Sequence, residues 1–221
     1  MGFNCGIVGL PNVGKSTIFN ALTAAGAEVA NYPFCTIDPN IGIVAVPDPR
    51  LENLARVLSP PKVTATTMEF VDIAGLVKGA SRGEGLGNKF LGHIREVDAL
   101  IHIIRCFQSP DVVHVGGTVD PLSDLEVVNT ELILADLDTV ERRLEKTERL
   151  AKVGDKDARK ATLLLTRLRD TLGRGRPTRS LLPEGEQGED EAWRRELHLL
   201  TDKPVLYVAN VSESMLKAPS P

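Results

Sequence analysis

Aromatic residues are scarce in this chain of 221 residues. They make up 4% of it, whereas hydrophobic residues as a whole make up 42%, so the core must be built from aliphatic side chains. The three cysteines, Cys5, Cys35 and Cys106, form no C-x-x-C pair and are too few for a disulfide scaffold. Such sparse cysteine predicts a reducing, cytoplasmic environment.

Long hydrophobic runs are also missing. No stretch approaches 18 apolar residues, and we find no pattern typical of a signal peptide, so we expect neither a membrane span nor secretion. Charged residues make up 25%, an ordinary globular value that excludes a disordered or low-complexity chain. The length allows one large domain, or one domain with an insertion.

Charge is unevenly distributed along the chain. The formal net charge is −4, yet residues 140–180 contain 13 Lys and Arg against 6 Asp and Glu, a net of +7. A basic segment attached to an acidic body predicts contact with a phosphate backbone. The alternative is a helical surface of solvated ion pairs, and composition does not distinguish the two.

Short apolar runs alternate with helical patterns over most of the chain. This alternation predicts an α/β fold with a mostly parallel sheet. Predicted strands cover residues 3–8, 41–46, 67–73, 99–105 and 204–209, and predicted helices cover residues 17–25, 49–58, 89–97 and 189–200.

Between the fourth and fifth predicted strands the hydrophobic period becomes helical. Two a/d patterns flank a break at residues 153–155, which predicts two long helices in an antiparallel hairpin. Ser123 to Glu126 matches a capping box at the first helix, and residues 173–188 have the composition of a linker. We therefore expect a nucleotide-binding domain from residues 1–121 and 202–221, with an inserted helical arm from residues 122–201.

The strongest motif occupies residues 9–16, Gly-Leu-Pro-Asn-Val-Gly-Lys-Ser. It matches G-x-x-x-x-G-K-[ST] between a predicted strand and a predicted helix. Its glycines let backbone N–H groups point at phosphates, Lys15 neutralises charge on the β- and γ-phosphates, and the Ser16 hydroxyl binds Mg²⁺. The predicted nucleotide contacts here are Asn12, Val13, Gly14, Lys15, Ser16 and Thr17.

A second element ends the third predicted strand. In Asp72-Ile73-Ala74-Gly75, the carboxylate of Asp72 can hold Mg²⁺ through water, and the Gly75 N–H can meet the γ-phosphate. Thr36, in the irregular loop 26–40, is the predicted second hydroxyl ligand, with a plain turn threonine as the alternative. The predicted metal residues are therefore Ser16, Thr36 and Asp72.

The predicted base-reading segment departs from the Ras-like pattern. Ras-like GTPases carry N-K-x-D after the next-to-last strand, where the Asp accepts two N–H bonds from guanine. Here the segment is Asn210-Val211-Ser212-Glu213, so Val replaces Lys and the longer Glu replaces Asp. The guanine contact is thereby weakened and adenine becomes an alternative. Asn210, Val211 and Glu213 are the predicted base contacts.

The chain resembles the YchF group, the Obg-like ATPases, over residues 1 to about 213. The resemblance implies a Ras-like domain with an inserted helical arm, a preference for ATP over GTP, and the ribosome or its RNA as partner. Members of the group continue into a last strand and a TGS domain, so we expect a fragment that ends before them. The motifs that carry the resemblance lie at residues 9–16, 31–36, 72–80, 85–90, 105–107 and 129–132.

The residue that orients the attacking water is not at the Ras-like position. Ras-like enzymes place a Gln directly after D-x-x-G, where this chain has Leu76, which offers water no hydrogen bond. His114 follows the fourth predicted strand, at the edge where α/β proteins bind ligands, and the family resemblance points to the same histidine. A solvent-exposed loop histidine is the alternative. Secondary candidates are Lys78, Arg82 and Glu84, and Asn12 is a candidate ligand for a monovalent cation.

The first functional hypothesis is a switch that binds Mg-ATP, hydrolyses it slowly and docks its basic arm, residues 140–180, on the ribosome or structured RNA. No aromatic residue lies between Phe107 and Trp193, so RNA contact would depend on phosphates and shape. The alternatives are a GTPase of the same architecture and a helical adaptor in which nucleotide is mainly structural. A small-molecule kinase is disfavoured because no Arg-rich lid is evident.

Overall fold

The computed structural model describes residues 2–27, 41–75, 79, 86–109, 112, 114, 116–181 and 189–217. Its strands are β1 (Phe3–Val8), β2 (Ile41–Ala45), β3 (Thr67–Asp72), β4 (Ala99–Arg105) and β5 (Val205–Asn210). Its α-helices are α1 (Lys15–Ala27), α2 (Pro49–Leu58), α3 (Leu86–Glu96), α4 (Pro121–Lys152), α5 (Lys156–Gly173), α6 (Glu189–Leu197) and α7 (Glu213–Lys217). Among these helices, none is both long enough and apolar enough to cross a membrane.

One sheet organises the strands, in the order β2-β3-β1-β4-β5. β1 pairs in parallel with β3 and β4, β4 pairs in parallel with β5, and only the β2–β3 pair in this sheet is antiparallel. Ile7 of β1 is in register with Asp72 on one side and Ile101 on the other. The carboxyl ends of three neighbouring strands thus share one edge, and the predicted α/β class is confirmed.

The central strands are buried on both faces of the sheet. Ile7 and Val8 of β1 and Leu100 and Ile103 of β4 are fully buried, as expected for near-continuous apolar strands in a parallel sheet. Phe19 of α1 packs into the same core. The phosphate loop therefore begins directly after fully buried residues of β1.

The predicted helical hairpin consists of α4 and α5. Asp120 caps α4 by accepting a hydrogen bond from the Ser123 N–H, at 3.2 Å. The capping box predicted at Ser123 to Glu126 is therefore wrong, because Pro121 already occupies the first turn and the cap lies three residues earlier. Asp155 caps α5, which confirms the predicted break at residues 153–155.

The hairpin has two hydrophobic environments. In the first half of α4, Val128 and Leu132 belong to the core beneath the sheet. In the second half, Val140 and Leu144 pack with Leu168 of α5 in a separate cluster. The first half of α4 is therefore anchored in the core of the sheet, while its far end depends on α5, and the division at residue 122 stays a prediction.

The segment predicted as a linker, residues 173–188, is partly structured. A 3₁₀ helix, Thr178–Leu181, begins with a fully buried threonine whose N–H donates to Thr201 Oγ1 at 3.1 Å. The helix predicted to reach residue 200 ends at Leu197, because His198 adopts a left-handed conformation with φ 48°. Asp136 of α4 then accepts hydrogen bonds from the N–H groups of Leu200 and Thr201, which fixes the entry into β5.

Candidate nucleotide-binding site

The phosphate loop connects β1 to α1 and requires glycine at two positions. At Gly9, with φ 153°, an added Cβ would lie 2.5 Å from the Ile103 carbonyl oxygen. At Gly14, with φ 95°, it would lie 2.5 Å from Asn210 Nδ2. Both contacts are far below a normal separation, so the loop is pressed against β4 and the end of β5.

The predicted contacts of this loop differ in exposure. Val13 and Lys15 are buried, Gly14 is half-buried, and Asn12, Ser16 and Thr17 are exposed. Asn12 adopts a left-handed conformation with φ 62°, which asparagine tolerates better than most residues. The loop thus presents polar groups outward and anchors itself through the Val13 side chain.

The Lys15 side chain crosses back over the loop. Its Nζ donates to the Leu10 carbonyl oxygen at 2.8 Å. Burial lowers the pKa of the Lys15 ammonium, and the negative charge of Asp72 opposes that shift. A methyl group added at Gly75 would lie 3.1 Å from Nζ, so the segment after β3 is directly beside this ammonium.

Ser16 and Asp72 meet although 56 residues separate them. The Ser16 hydroxyl donates to Asp72 Oδ2 at 2.7 Å, at the shared carboxyl edge of β1 and β3. A hydroxyl and a carboxylate are hard oxygen donors, which suit Mg²⁺ bound by few protein groups together with phosphate oxygens. These two residues therefore fit the predicted cation. Thr36, together with Lys78, Arg82 and Glu84, lies outside the described residues.

Asn210 contacts the phosphate loop itself. Its Nδ2 donates to the Val13 carbonyl oxygen at 2.9 Å, and its backbone oxygen accepts from the Cys106 N–H at 2.8 Å. Val211 is half-buried, whereas the Glu213 carboxylate, at the start of α7, is exposed and accepts from Lys217 Nζ at 3.0 Å. Of the three predicted base contacts, Asn210 is thus also a support of the loop.

His114 is held by two hydrogen bonds. Its side chain is buried, Nε2 lies 2.8 Å from Asp124 Oδ2, and Nδ1 accepts from the Gly116 N–H at 3.0 Å. Because Nδ1 is an acceptor, the ring proton lies on Nε2 and is donated to Asp124. The alternative of a solvent-exposed histidine is wrong.

Sequence reasoning missed Asp124 as a neighbour of His114. Asp124 is buried in the first turn of α4, although a carboxylate at that place usually indicates a solvated helix start. The available signal was its spacing. Asp124 lies four residues before Val128 and eight before Leu132, on the buried side of the helix.

Arg105, at the end of β4, lies in one of the motifs that carry the family resemblance, but no role was predicted for it. It is 1% exposed, and its Nε and Nη1 donate to the carbonyl oxygens of Phe107 and Val112, both at 3.0 Å. Its guanidinium also lies 4.7 Å from the centre of the Phe107 ring. Arg105 therefore organises the chain that leads from β4 to His114.

A glycine loop between a parallel strand and a helix, with its lysine and serine beside an aspartate from a neighbouring strand, defines the class of P-loop nucleotide-binding proteins. Residues 4–167 match the family described as "50S ribosome-binding GTPase". That match covers well over half of the sequence, and the chain belongs to this family.

Individual relatives confirm the predicted resemblance to the YchF group. The chain is 56% identical to "Ribosome-binding ATPase YchF" of Bacillus subtilis over 220 residues, which cover 100% of this chain and 59% of the relative. It is also 56% identical to the protein of the same name from Escherichia coli O157:H7, over 96% of this chain and 58% of the relative.

A solved structure agrees with the sequence relatives. The Schizosaccharomyces pombe YchF GTPase superimposes with a TM-score of 0.80 at 38% identity, over 97% of this chain and 58% of that protein. The fold is therefore that of the YchF proteins. The chain spans less than two thirds of the length of each of these relatives.

Proposed function

We propose that the chain binds Mg-ATP at the phosphate loop, hydrolyses it slowly to ADP and phosphate, and acts in the cytoplasm as a nucleotide-dependent switch at the ribosome. The observation that carries this proposal is the 2.7 Å hydrogen bond between Ser16 and Asp72. This hydrogen bond brings together the phosphate-loop motif and the D-x-x-G motif, the two motifs from which a P-loop NTPase binds its Mg²⁺.

The phosphate contacts follow from the geometry of the loop. Lys15 Nζ would exchange the Leu10 carbonyl oxygen for phosphate oxygens, since a neutral acceptor competes poorly with an anion for a buried ammonium. The Gly75 N–H would approach the γ-phosphate. Ser16, Asp72 and the proposed ligand Thr36 would hold Mg²⁺, which neutralises charge on the β- and γ-phosphates.

Hydrolysis requires a water molecule in line with the γ-phosphate. The water oxygen bonds to the γ-phosphorus, the bond from that phosphorus to the bridging oxygen breaks, and ADP leaves with the electron pair. We assign the orienting role to His114, which must free one ring nitrogen to reach water. In the structure Nδ1 accepts a hydrogen bond from the Gly116 N–H, and the attacking water would replace that N–H.

The proposal favours ATP over GTP. Val211 and Glu213 replace the Lys and Asp of the guanine-reading pattern, and the Glu213 carboxylate is engaged by Lys217. The bacterial relatives are named ATPases, which supports the same choice. GTP is the second candidate substrate, because the family description and the S. pombe protein both carry the word GTPase.

The arm is proposed as the ribosome-binding element. An open groove of about 390 Å³ is lined by Arg95, Arg143 and Lys146, together with Arg142 and the acidic Glu196. A second, on the α4–α5 face, is lined by Arg169 and Arg174 together with the acidic Glu141 and Asp170. Exposed cations along a helix suit the regular phosphates of structured RNA.

Part of the arm's charge is already neutralised. Exposed ion pairs join Arg142 to Asp138, Arg149 to Glu145 and Arg169 to Asp170. Solvent screens such surface pairs, so they add little to the stability of the helices and RNA phosphates can compete for the same arginines.

Nucleotide titration tests the proposal. ATP, ADP, GTP and GDP are titrated against the chain with Mg²⁺ and with EDTA, and phosphate release is followed for the two triphosphates. We expect Mg-dependent triphosphate binding that Lys15→Ala abolishes, while Lys62→Ala, at an exposed lysine, leaves it intact. Undiminished affinity in Lys15→Ala would remove the phosphate-loop assignment.

A further inference from the structure

Two buried carboxylates project from one side of α4 towards the nucleotide-binding domain. Asp124 and Glu131 are seven residues apart, about two helical turns, so they lie on nearly the same face. Their exposed fractions are 7% and 5%. Asp124 accepts from His114 Nε2 at 2.8 Å, and Glu131 Oε1 accepts from the Gly79 N–H at 2.6 Å.

Packing alone does not account for these two residues. Val128 and Leu132 occupy the same side of α4 and fill the core with apolar side chains. Burying a carboxylate instead costs free energy unless hydrogen bonds compensate it. Each carboxylate receives such a bond from a segment that follows a strand at the nucleotide edge of the sheet.

Both bound segments belong to the proposed hydrolytic machinery. Gly79 comes four residues after Gly75, which lies beside the Lys15 ammonium. His114 follows β4. One helix therefore holds the two segments that flank the proposed γ-phosphate position.

We propose that Asp124 and Glu131 are positioning residues for nucleotide hydrolysis. Asp124 keeps the ring proton of His114 on Nε2, so that Nδ1 faces the attacking water as an acceptor once the Gly116 N–H is displaced. Glu131 holds the backbone N–H of Gly79, four residues after Gly75. This inference rests on the proposed function, because it assigns both residues to that same reaction.

Near-isosteric substitutions test the proposal. Asp124→Asn and Glu131→Met, which removes the acceptor of the Gly79 N–H, are compared with Glu126→Gln, which removes the same charge from an exposed position of α4. We expect single-turnover ATP hydrolysis to fall about tenfold in each of the first two variants, with ATP and ADP affinities within about twofold of the parent. Glu126→Gln should match the parent in rate and affinity.

Repeating Asp124→Asn in a chain that lacks His114 distinguishes a positioning role from a structural one. In a chain that already carries His114→Ala, Asp124→Asn should cause no further loss of rate, since it acts only through the histidine. An equal loss in both backgrounds would assign Asp124 a structural role and overturn its part of the proposal.

Glu131 has a readout that does not depend on activity. Hydrogen exchange of the Gly79 amide should accelerate in Glu131→Ala and stay unchanged in Glu126→Gln. Unchanged exchange at Gly79, or hydrolysis equal to the control in Glu131→Met, would overturn its part.

These measurements distinguish failure of the proposed function from failure of the two positioning roles. A parent chain that does not hydrolyse ATP or GTP overturns the proposed function and this inference with it. A parent that hydrolyses nucleotide while Asp124→Asn and Glu131→Met behave like Glu126→Gln overturns the inference alone.

Discussion

Asn210 holds the phosphate loop from a strand that lies 197 residues later in the sequence, through the 2.9 Å hydrogen bond from its Nδ2 to the Val13 carbonyl oxygen. Asn210→Ala should therefore weaken ATP and GTP binding by the same factor, about tenfold, because the loop rather than base recognition is disturbed. It should also lower the free energy of unfolding by about 1 kcal/mol.

The two effects of Asn210→Ala are measured by calorimetric titration and urea denaturation. Asn53→Ala, at an exposed asparagine of α2, is the control and should change neither quantity. A loss confined to one nucleotide would instead make Asn210 a base reader.

Val211→Lys combined with Glu213→Asp restores the N-K-x-D pattern. The shorter carboxylate can accept two guanine N–H groups, so we expect the ratio of the ATP and GTP dissociation constants to shift towards GTP. The double variant also removes the Glu213 contact with Lys217, for which Lys217→Ala is the matched control. An unchanged ratio would place base selection outside residues 210–213.

The strands and the phosphate loop could be predicted from sequence because their signals are local. Apolar runs define β1 and β4, and the glycine and lysine spacing defines the loop between β1 and α1. The environments of Asp124 and Glu131 could not be predicted, because a carboxylate in an amphipathic helix is normally solvated. Their partners come from segments 10 and 52 residues away, which only the tertiary fold brings together.

The prediction of a linker over residues 173–188 was partly wrong for a related reason. Its composition is polar and rich in glycine and proline, which usually indicates an exposed connection. The burial of Thr178 depends on Thr201 and Asp202, 23 and 24 residues later, whose hydroxyl and carboxylate satisfy its polar atoms. The local sequence pattern contains no information about hydrogen bonds between residues so far apart in the chain.

Ser16→Ala and Thr36→Ala should both reduce the effect of Mg²⁺ on nucleotide affinity. Ser16 contacts Asp72 within the site, so its loss should weaken Mg-ATP and Mg-ADP alike. Thr36→Ala should weaken Mg-ATP more than Mg-ADP, if its loop closes on the γ-phosphate. Affinities are measured with and without EDTA, with Thr64→Ala, at an exposed threonine before β3, as the control. Equal losses for both nucleotides would place Thr36 outside the magnesium shell.

Charge reversal on the arm should weaken ribosome or structured-RNA binding. Arg167→Glu, Arg169→Glu and Arg174→Glu together remove three cations from α5 and its end. The slope of log affinity against log salt should fall by roughly one for each lost phosphate contact. Arg50→Glu, at an exposed arginine of α2, should leave the slope unchanged.

Hydrolysis by the free chain should be unaffected in the triple arm variant. Its three arginines belong to the arm, which is far from the phosphate loop in the sequence. Equal affinity and equal salt slope for the variant and the parent would assign these arginines to the solvated surface.

Because His102 is buried, we expect the free energy of unfolding to fall in mild acid. This β4 histidine is 3% exposed, its ring lies 5.7 Å from that of Tyr207, and burial together with the charge of Arg179 lowers its pKa from 6.5 to about 4. Above pH 6.5 the ring is neutral in both the folded and unfolded chains and contributes no pH dependence. As pH falls from 6.5 to about 4, only the unfolded chain takes up the proton, so stability falls by up to about 3 kcal/mol.

Urea denaturation at a series of pH values checks this expectation. His102→Gln, which is not protonated, should remove most of the loss between pH 6.5 and 4, although it lowers stability at pH 7. His93→Gln, at an exposed position of α3, is measured beside it as the control for replacing a histidine by glutamine. Parallel curves for the parent and His102→Gln would show that acid destabilisation arises from other groups.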